Sequence, residues 1–208
     1  MHYLNENIEF PNVNKANRDG LLAVGGDLSV ERLLLAYKKG IFPWFENDEP
    51  ILWWSPNPRF VLFTEKLKVS KSMKQVLRNS NYTVTINKAF NEVIYQCSKI
   101  KRNGQSGTWI TKSMINAYCK LHNLGYATSI EVWDNDNLVG GIYGVDLGNK
   151  VFCGESMFAK ESNASKIGLI TFIKNNNFKI IDCQVYTQHM ESLGAEEILR
   201  EDFLKLLI

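Results

Sequence analysis

Residues 41–60, IFPWFENDEPILWWSPNPRF, hold four prolines and three of the chain's five tryptophans. Each proline fixes φ and removes a backbone donor. That density predicts an ordered loop rich in flat apolar rings, with no regular element inside it. Such a stretch divides the chain. It marks the end of a small N-terminal lobe, residues 1–58, ahead of a larger domain, residues 59–208. The length suits one large domain with a small lobe attached.

The first clear element before the loop is a helix from Ser29 to Lys39, with Ser29 as cap and Gly40 following it. After the loop the chain alternates. A strand near 60–63 precedes a helix near 70–79 capped by Ser70, and a strand at 82–86 precedes a helix at 88–99 capped by Asn87. A loop with Gly104 and Gly107 leads into a helix from Thr111 to about Leu124. Strands follow at 128–133, 138–145 and 150–157, then a helix at 163–175, a strand at 178–185 and a last helix at 201–207. This describes an α+β fold, a mixed sheet with helices packed on it. The order is similar to the core of the acyl-CoA N-acyltransferase (GNAT) fold. In that fold the helix after the central strand opens with a glycine-rich turn that binds pyrophosphate. Here AKESNASKIG has only Gly168, well inside the helix, so acetyl-CoA is a poor donor.

The net charge is only +2, so the chain has no global basic field for nucleic acid. A local patch is present: Arg59, Lys66, Lys68, Lys71, Lys74 and Arg78 stand against the single acid Glu65. It can be a solvated face or a phosphate-binding face. The four cysteines form no CxxC pair and have no histidine at ligand spacing, which predicts a reducing cytosol and no metal. The start, MHYLNENIEF, has no signal-peptide pattern, and no apolar run approaches the roughly 20 residues of a membrane span.

Three polar groups stand where burial would be costly. Asp182 and Gln184 lie two apart at the end of an apolar strand, where alternation puts them on one face. Glu155 sits inside the apolar run KVFCGESMF. A carboxylate there is either paired or functional. Gly154 beside it suggests a bulge, which would let Phe152 and Met157 line the same pocket. Trp44, Trp53, Trp54 and Trp109 offer flat stacking surfaces for a base, Trp44 and Trp109 in the more exposed contexts. His189 is a lone histidine without a serine or cysteine nucleophile at diagnostic spacing, so its expected role is orienting or structural.

Several motifs together carry a resemblance. FPWF with WWSPNPR, GTWIT, GESMF, NASK, and DCQV followed by HMESLGA closely resemble bacterial leucyl/phenylalanyl-tRNA–protein transferases, over about residues 20–203. The resemblance implies a small N-terminal domain and a GNAT-like C-terminal domain without a cofactor. It implies transfer of Leu or Phe, and Met less well, from aminoacyl-tRNA to proteins beginning with Arg or Lys. It also implies roles for residues. Asp182 and Gln184 match a catalytic pair, with Asp182 fixing and polarising Gln184. Glu155 matches an acid at the reaction centre, and Trp44 and Trp109 match tryptophans near the 3′ adenosine. Tyr118 matches an active-site tyrosine. Ile142, Phe152, Met157, Leu169, Phe172 and Ile181 match the pocket for the transferred side chain, although Ile142 stands where a longer Met is familiar. By charge, Glu155 would also meet the cationic residue of the acceptor. The residues alone leave two rivals open, an acyl-CoA-dependent transferase and a non-enzymatic RNA-binding protein.

Overall fold

The computed structural model describes residues 2–47, 49–100 and 109–208. The glycine loop expected at Gly104 and Gly107 lies outside them. The N-terminal part forms a four-stranded sheet in the order β1-β2-β4-β3: β1 (His2–Leu4), β2 (Leu21–Gly25), β3 (Phe42–Pro43) and β4 (Leu52–Trp54). Helix α1 (Val30–Lys38) follows β2, and the Ser29 side chain caps it by accepting from the Arg32 N–H.

The proline-rich stretch is therefore not all loop, because β3 and β4 lie within it. Pro43 is tolerated because β3 is an edge strand, where a missing N–H breaks no ladder on its outer side. Gly40 ends α1 at φ 68°, a left-handed value that glycine adopts without steric cost.

The larger sheet has the order β11-β5-β10-β9-β8-β7-β6. Its strands are β5 (Arg59–Phe63), β6 (Thr83–Ile86), β7 (Ala127–Asp134), β8 (Asn137–Asp146), β9 (Val151–Ala159), β10 (Ile180–Gln184) and β11 (Glu196–Ile198). Strands β7, β8 and β9 are antiparallel, as the hairpin signals predicted, and β10 joins β9 in parallel after the crossover helix α5 (Ala164–Asn175). This is the mixed sheet with helices packed on it that the order of elements predicted.

Helices α2 (Lys71–Asn79), α3 (Phe90–Lys99) and α4 (Lys112–Asn123) precede β7, and the short α6 (Gln188–Glu191) and α7 (Arg200–Leu206) close the chain. Asn87 does not cap α3. It takes φ 59° and instead accepts from the Ser129 N–H on β7, pinning the helix approach to the sheet.

Among the described residues, the two largest buried clusters flank the large sheet. One joins α5 to the sheet through Ile142, Phe152, Leu169 and Phe172. The other joins α3 and α4 to the N-terminal sheet and α1, so Tyr37 of α1 and Tyr118 of α4 meet in one core. Gly168 serves packing: a Cβ there would come within 2.9 Å of Val132. Among the described residues, no helix is long and apolar enough to cross a membrane.

Candidate active site

Two bulges on neighbouring strands make the site. On β9, Ser156 pairs with Tyr143 and Gly154 with Gly144, so Glu155 is the extra residue. On β10, Asp182 pairs with Val61 and Gln184 with Phe60, so Cys183 is the extra residue. The β9–β10 ladder stops at the pair Asp182 and Cys153. Beyond that point the two strands part, and a cavity of about 600 Å³ opens between them. A bulge re-aims side chains that alternation would send elsewhere. Phe152 and Met157 accordingly both line the cavity, as the glycine at 154 suggested.

The bulge on β10 overturns the simple alternation expected for Asp182 and Gln184. Gln184 adopts φ 65°, which is costly for a residue with a Cβ. Its backbone N–H donates to Asp182 Oδ1 at 3.0 Å. Its side-chain Nε2 reaches across the gap and donates to Glu155 Oε1 at 2.7 Å. The expected fixing of the Gln184 amide by Asp182 is thus corrected. Asp182 holds the backbone of Gln184, and Glu155 holds its amide.

The carboxylate of Asp182 is fully buried and faces Arg59 instead. Arg59 Nε donates to Oδ1 at 2.8 Å and the second terminal nitrogen to Oδ2 at 2.6 Å. Arg59 itself is 1% exposed. Its place in the basic patch is therefore a correction: no phosphate can reach a guanidinium sealed in the interior and already paired. The sequence hid this because an arginine at the start of a strand looks the same whether it faces in or out. The other five cations of the patch, Lys66, Lys68, Lys71, Lys74 and Arg78, are exposed, with Lys66 ion-paired to Glu196.

Glu155 has a different environment. It is buried, and its Oε2 accepts from the Tyr118 hydroxyl at 2.9 Å. The Tyr118 hydroxyl in turn makes a short hydrogen bond with the Tyr37 hydroxyl. All its donors are neutral. Loss of water pushes its pKa up to about 7, and the hydrogen bonds from the tyrosines and Gln184 only partly offset this. Burial, reinforced by Glu155, holds both phenols well above the ordinary range, so they remain hydroxyls. Glu155 lines the cavity with both oxygens already engaged, one by Gln184 and one by Tyr118. Tyr37 was not singled out in the sequence; only its place in the apolar face of α1 is visible there.

Of the remaining expected residues, Ile142, Leu169 and Ile181 line the cavity, as do Trp44 and Trp109. The Trp44 ring leans on Trp54 at 5.7 Å between centroids, and Trp54 Nε1 donates to the Trp44 carbonyl. Two residues stand one layer back. Tyr118 is completely buried behind Glu155, so the direct contact expected of it is replaced by support. Phe172 packs edge-on against Phe152 at 4.9 Å and shapes the wall from behind. Phe42 and Tyr186 line the cavity without having been expected there.

Covalent catalysis by the nearby thiols is disfavoured. Burial, with Asp182 adding to it, pushes Cys153 and Cys183 far above the thiolate range. His189 lines the cavity with its pKa lowered by burial and by Lys166, which keeps the ring neutral at pH 7. Among the described residues no three His, Cys, Asp or Glu side chains gather as a metal site would require. The groups at the site offer hydrogen bonding by an amide of fixed orientation, proton exchange at one carboxyl poised near neutrality, and an apolar wall.

Comparison with known proteins places the chain in one family. Residues 61–208 match the family model described as leucyl/phenylalanyl-tRNA protein transferase, and residues 26–57 match the model of that family's N-terminal domain. The chain is 58% identical over 210 residues to the leucyl/phenylalanyl-tRNA–protein transferase of Flavobacterium psychrophilum, covering 100% of this chain and 99% of that one. Its counterpart in Flavobacterium johnsoniae is 57% identical over the same length, with the same coverage. That of Syntrophobacter fumaroxidans is 53% identical over 207 residues, covering 98% of this chain and 88% of the relative. The chain belongs to the leucyl/phenylalanyl-tRNA–protein transferase family.

Proposed function

From that membership, we propose that the chain transfers Leu or Phe, and Met less well, from aminoacyl-tRNA in the cytoplasm. The acceptor is the N-terminus of proteins that begin with Arg or Lys, which are thereby marked for degradation. The observation that carries this reading is the Gln184 amide, fixed by Glu155 at the rim of an apolar cavity. The transferred side chain occupies the wall made by Ile142, Phe152, Met157, Leu169 and Ile181. The terminal adenosine lies against Trp44 and Trp109, where stacking contributes about 1–3 kcal/mol per base. Residues 1–58 then supply the lobe that closes the nucleotide end through Trp44, and residues 59–208 the catalytic domain. The exposed cations Lys66, Lys68, Lys71, Lys74 and Arg78 hold tRNA phosphates.

An ester becomes an amide, so the reaction runs downhill without ATP. The acceptor's α-amino group has a pKa of about 7.7–8.0, and its neutral form attacks the ester carbonyl. With Nε2 committed to Glu155, Gln184 turns its Oε1 to the amine and orients the nitrogen lone pair toward carbon. The N–C bond forms and a proton leaves the nitrogen for Glu155, whose affinity near neutral pH suits both uptake and return. The C–O bond to the ribose then breaks, and the ribose oxygen takes that proton back.

The test is transfer of radiolabelled leucine from charged tRNA to a reporter beginning with Arg, beside one beginning with Ser. Label on the Arg reporter alone is the expected result. Absence of label on both, with tRNA still bound, would overturn the reading.

A further inference from the structure

Arg59 lies outside the cavity wall, yet its geometry governs the residue that the mechanism depends on. Gln184 holds a left-handed backbone conformation, and one anchor for that conformation is the hydrogen bond from its N–H to Asp182 Oδ1. The same oxygen accepts from Arg59 Nε, and Oδ2 accepts from the second terminal nitrogen. Two parallel bonds fix the carboxylate plane as well as its position. The remaining terminal nitrogen reaches the Gly40 carbonyl at 3.3 Å, at the turn that ends α1. The guanidinium is sandwiched between the rings of Phe42 on β3 and Phe203 on α7, with its carbon 4.8 and 4.7 Å from their centroids. One side chain thus gathers the N-terminal sheet, the last helix and the catalytic strand.

We propose that Arg59 is a positioning residue for transfer. Through Asp182 it holds Gln184 in the bulged conformation that aims the amide at the reacting amine. This rests on the role given to Gln184 above. A lysine keeps the charge but offers one point of contact in place of two parallel bonds, so Asp182 becomes free to rotate. A misplacement of about 1 Å in a reacting group costs on the order of 100-fold in rate.

The experiment measures kcat and KM for leucine transfer with Arg59→Lys, Gln184→Ala and the double variant. In the wild-type background Arg59→Lys lowers kcat about 100-fold and moves KM for the charged tRNA by less than about threefold. In the Gln184→Ala background it lowers kcat no further, because the group it positions is gone. A purely structural role would cost the same factor in both backgrounds, and that result overturns the proposal. So does an unchanged kcat in Arg59→Lys. Should Arg59→Lys fail to fold, Phe203→Leu keeps the ion pair and loosens one ring of the sandwich. It is expected to lower kcat severalfold at constant KM, and an unchanged kcat there also overturns the proposal. Full activity of Gln184→Ala is a separate outcome, which removes the role of Gln184 itself.

Discussion

Two carboxyl groups flank Gln184, and the fold treats them in opposite ways. Asp182 is paired with a guanidinium through two hydrogen bonds. Glu155 is also buried, at the cavity wall, but receives only neutral donors, from Tyr118 and Gln184. Burial disfavours charge in both places, and only one has a cation to offset it. The paired carboxylate is a fixed point of the scaffold. The unpaired one changes its charge near neutral pH, which suits it to exchange protons.

Asp182→Asn breaks the comparison most severely. It leaves the Arg59 charge buried without a counterion and turns an amide N–H toward a guanidinium N–H. The expected loss is about 3–5 kcal/mol of stability, read from urea unfolding at pH 7. A loss below about 1 kcal/mol would mean that the pair is solvated and that the two carboxyls differ less than their burial indicates.

Glu155→Gln should do the reverse. The native carboxyl keeps its proton up to about pH 7, whereas the unfolded chain releases it near 4.5. Wild-type stability therefore falls as pH rises through that window. The neutral glutamine removes the fall, so the variant gains relative to wild type, to at most about 3 kcal/mol above pH 7. Unfolding curves at pH 5 and pH 8 check this, and a constant difference between the proteins would refute it. The same variant loses the part of the rise in transfer rate near pH 7 that Glu155 contributes, and keeps the rise near pH 8 set by the acceptor amine.

Tyr118→Phe has the smallest effect, about 1–2 kcal/mol from an unpartnered hydrogen-bonding group at Glu155 and Tyr37. Its informative readout is the pH profile of kcat. With a hydrogen bond to the charged form removed, the inflection assigned to Glu155 moves to higher pH. An unmoved inflection would assign it to another group.

The longer helices after residue 59 and the antiparallel β7-β8-β9 unit were legible because their signals are local, whereas the four-residue α6 was not. Ser29 and Ser70 cap their helices as the sequence indicated, and Thr111 caps the helix expected to begin at it. The short strands β1, β2 and β11 were not legible, since runs of three to five residues carry too little alternation. Asn87 looked like another cap, but a longer-range bond to Ser129 took its side chain.

For the site, chemistry and contact separated. The sequence by itself determined which residue types could do the work: an acid in an apolar run, an Asp and a Gln at a strand end, and an apolar set for a hydrophobic side chain. Tertiary structure decided what each one does. Arg59 and Asp182 are 123 positions apart, and no local pattern relates them. Their pairing made a supposed phosphate ligand into an interior clamp on Asp182, which holds the backbone of Gln184 while Glu155 holds its amide. The physical reason is that periodicity and capping are set by neighbours along the chain, whereas burial, ion pairing and proton affinity are set by neighbours in space.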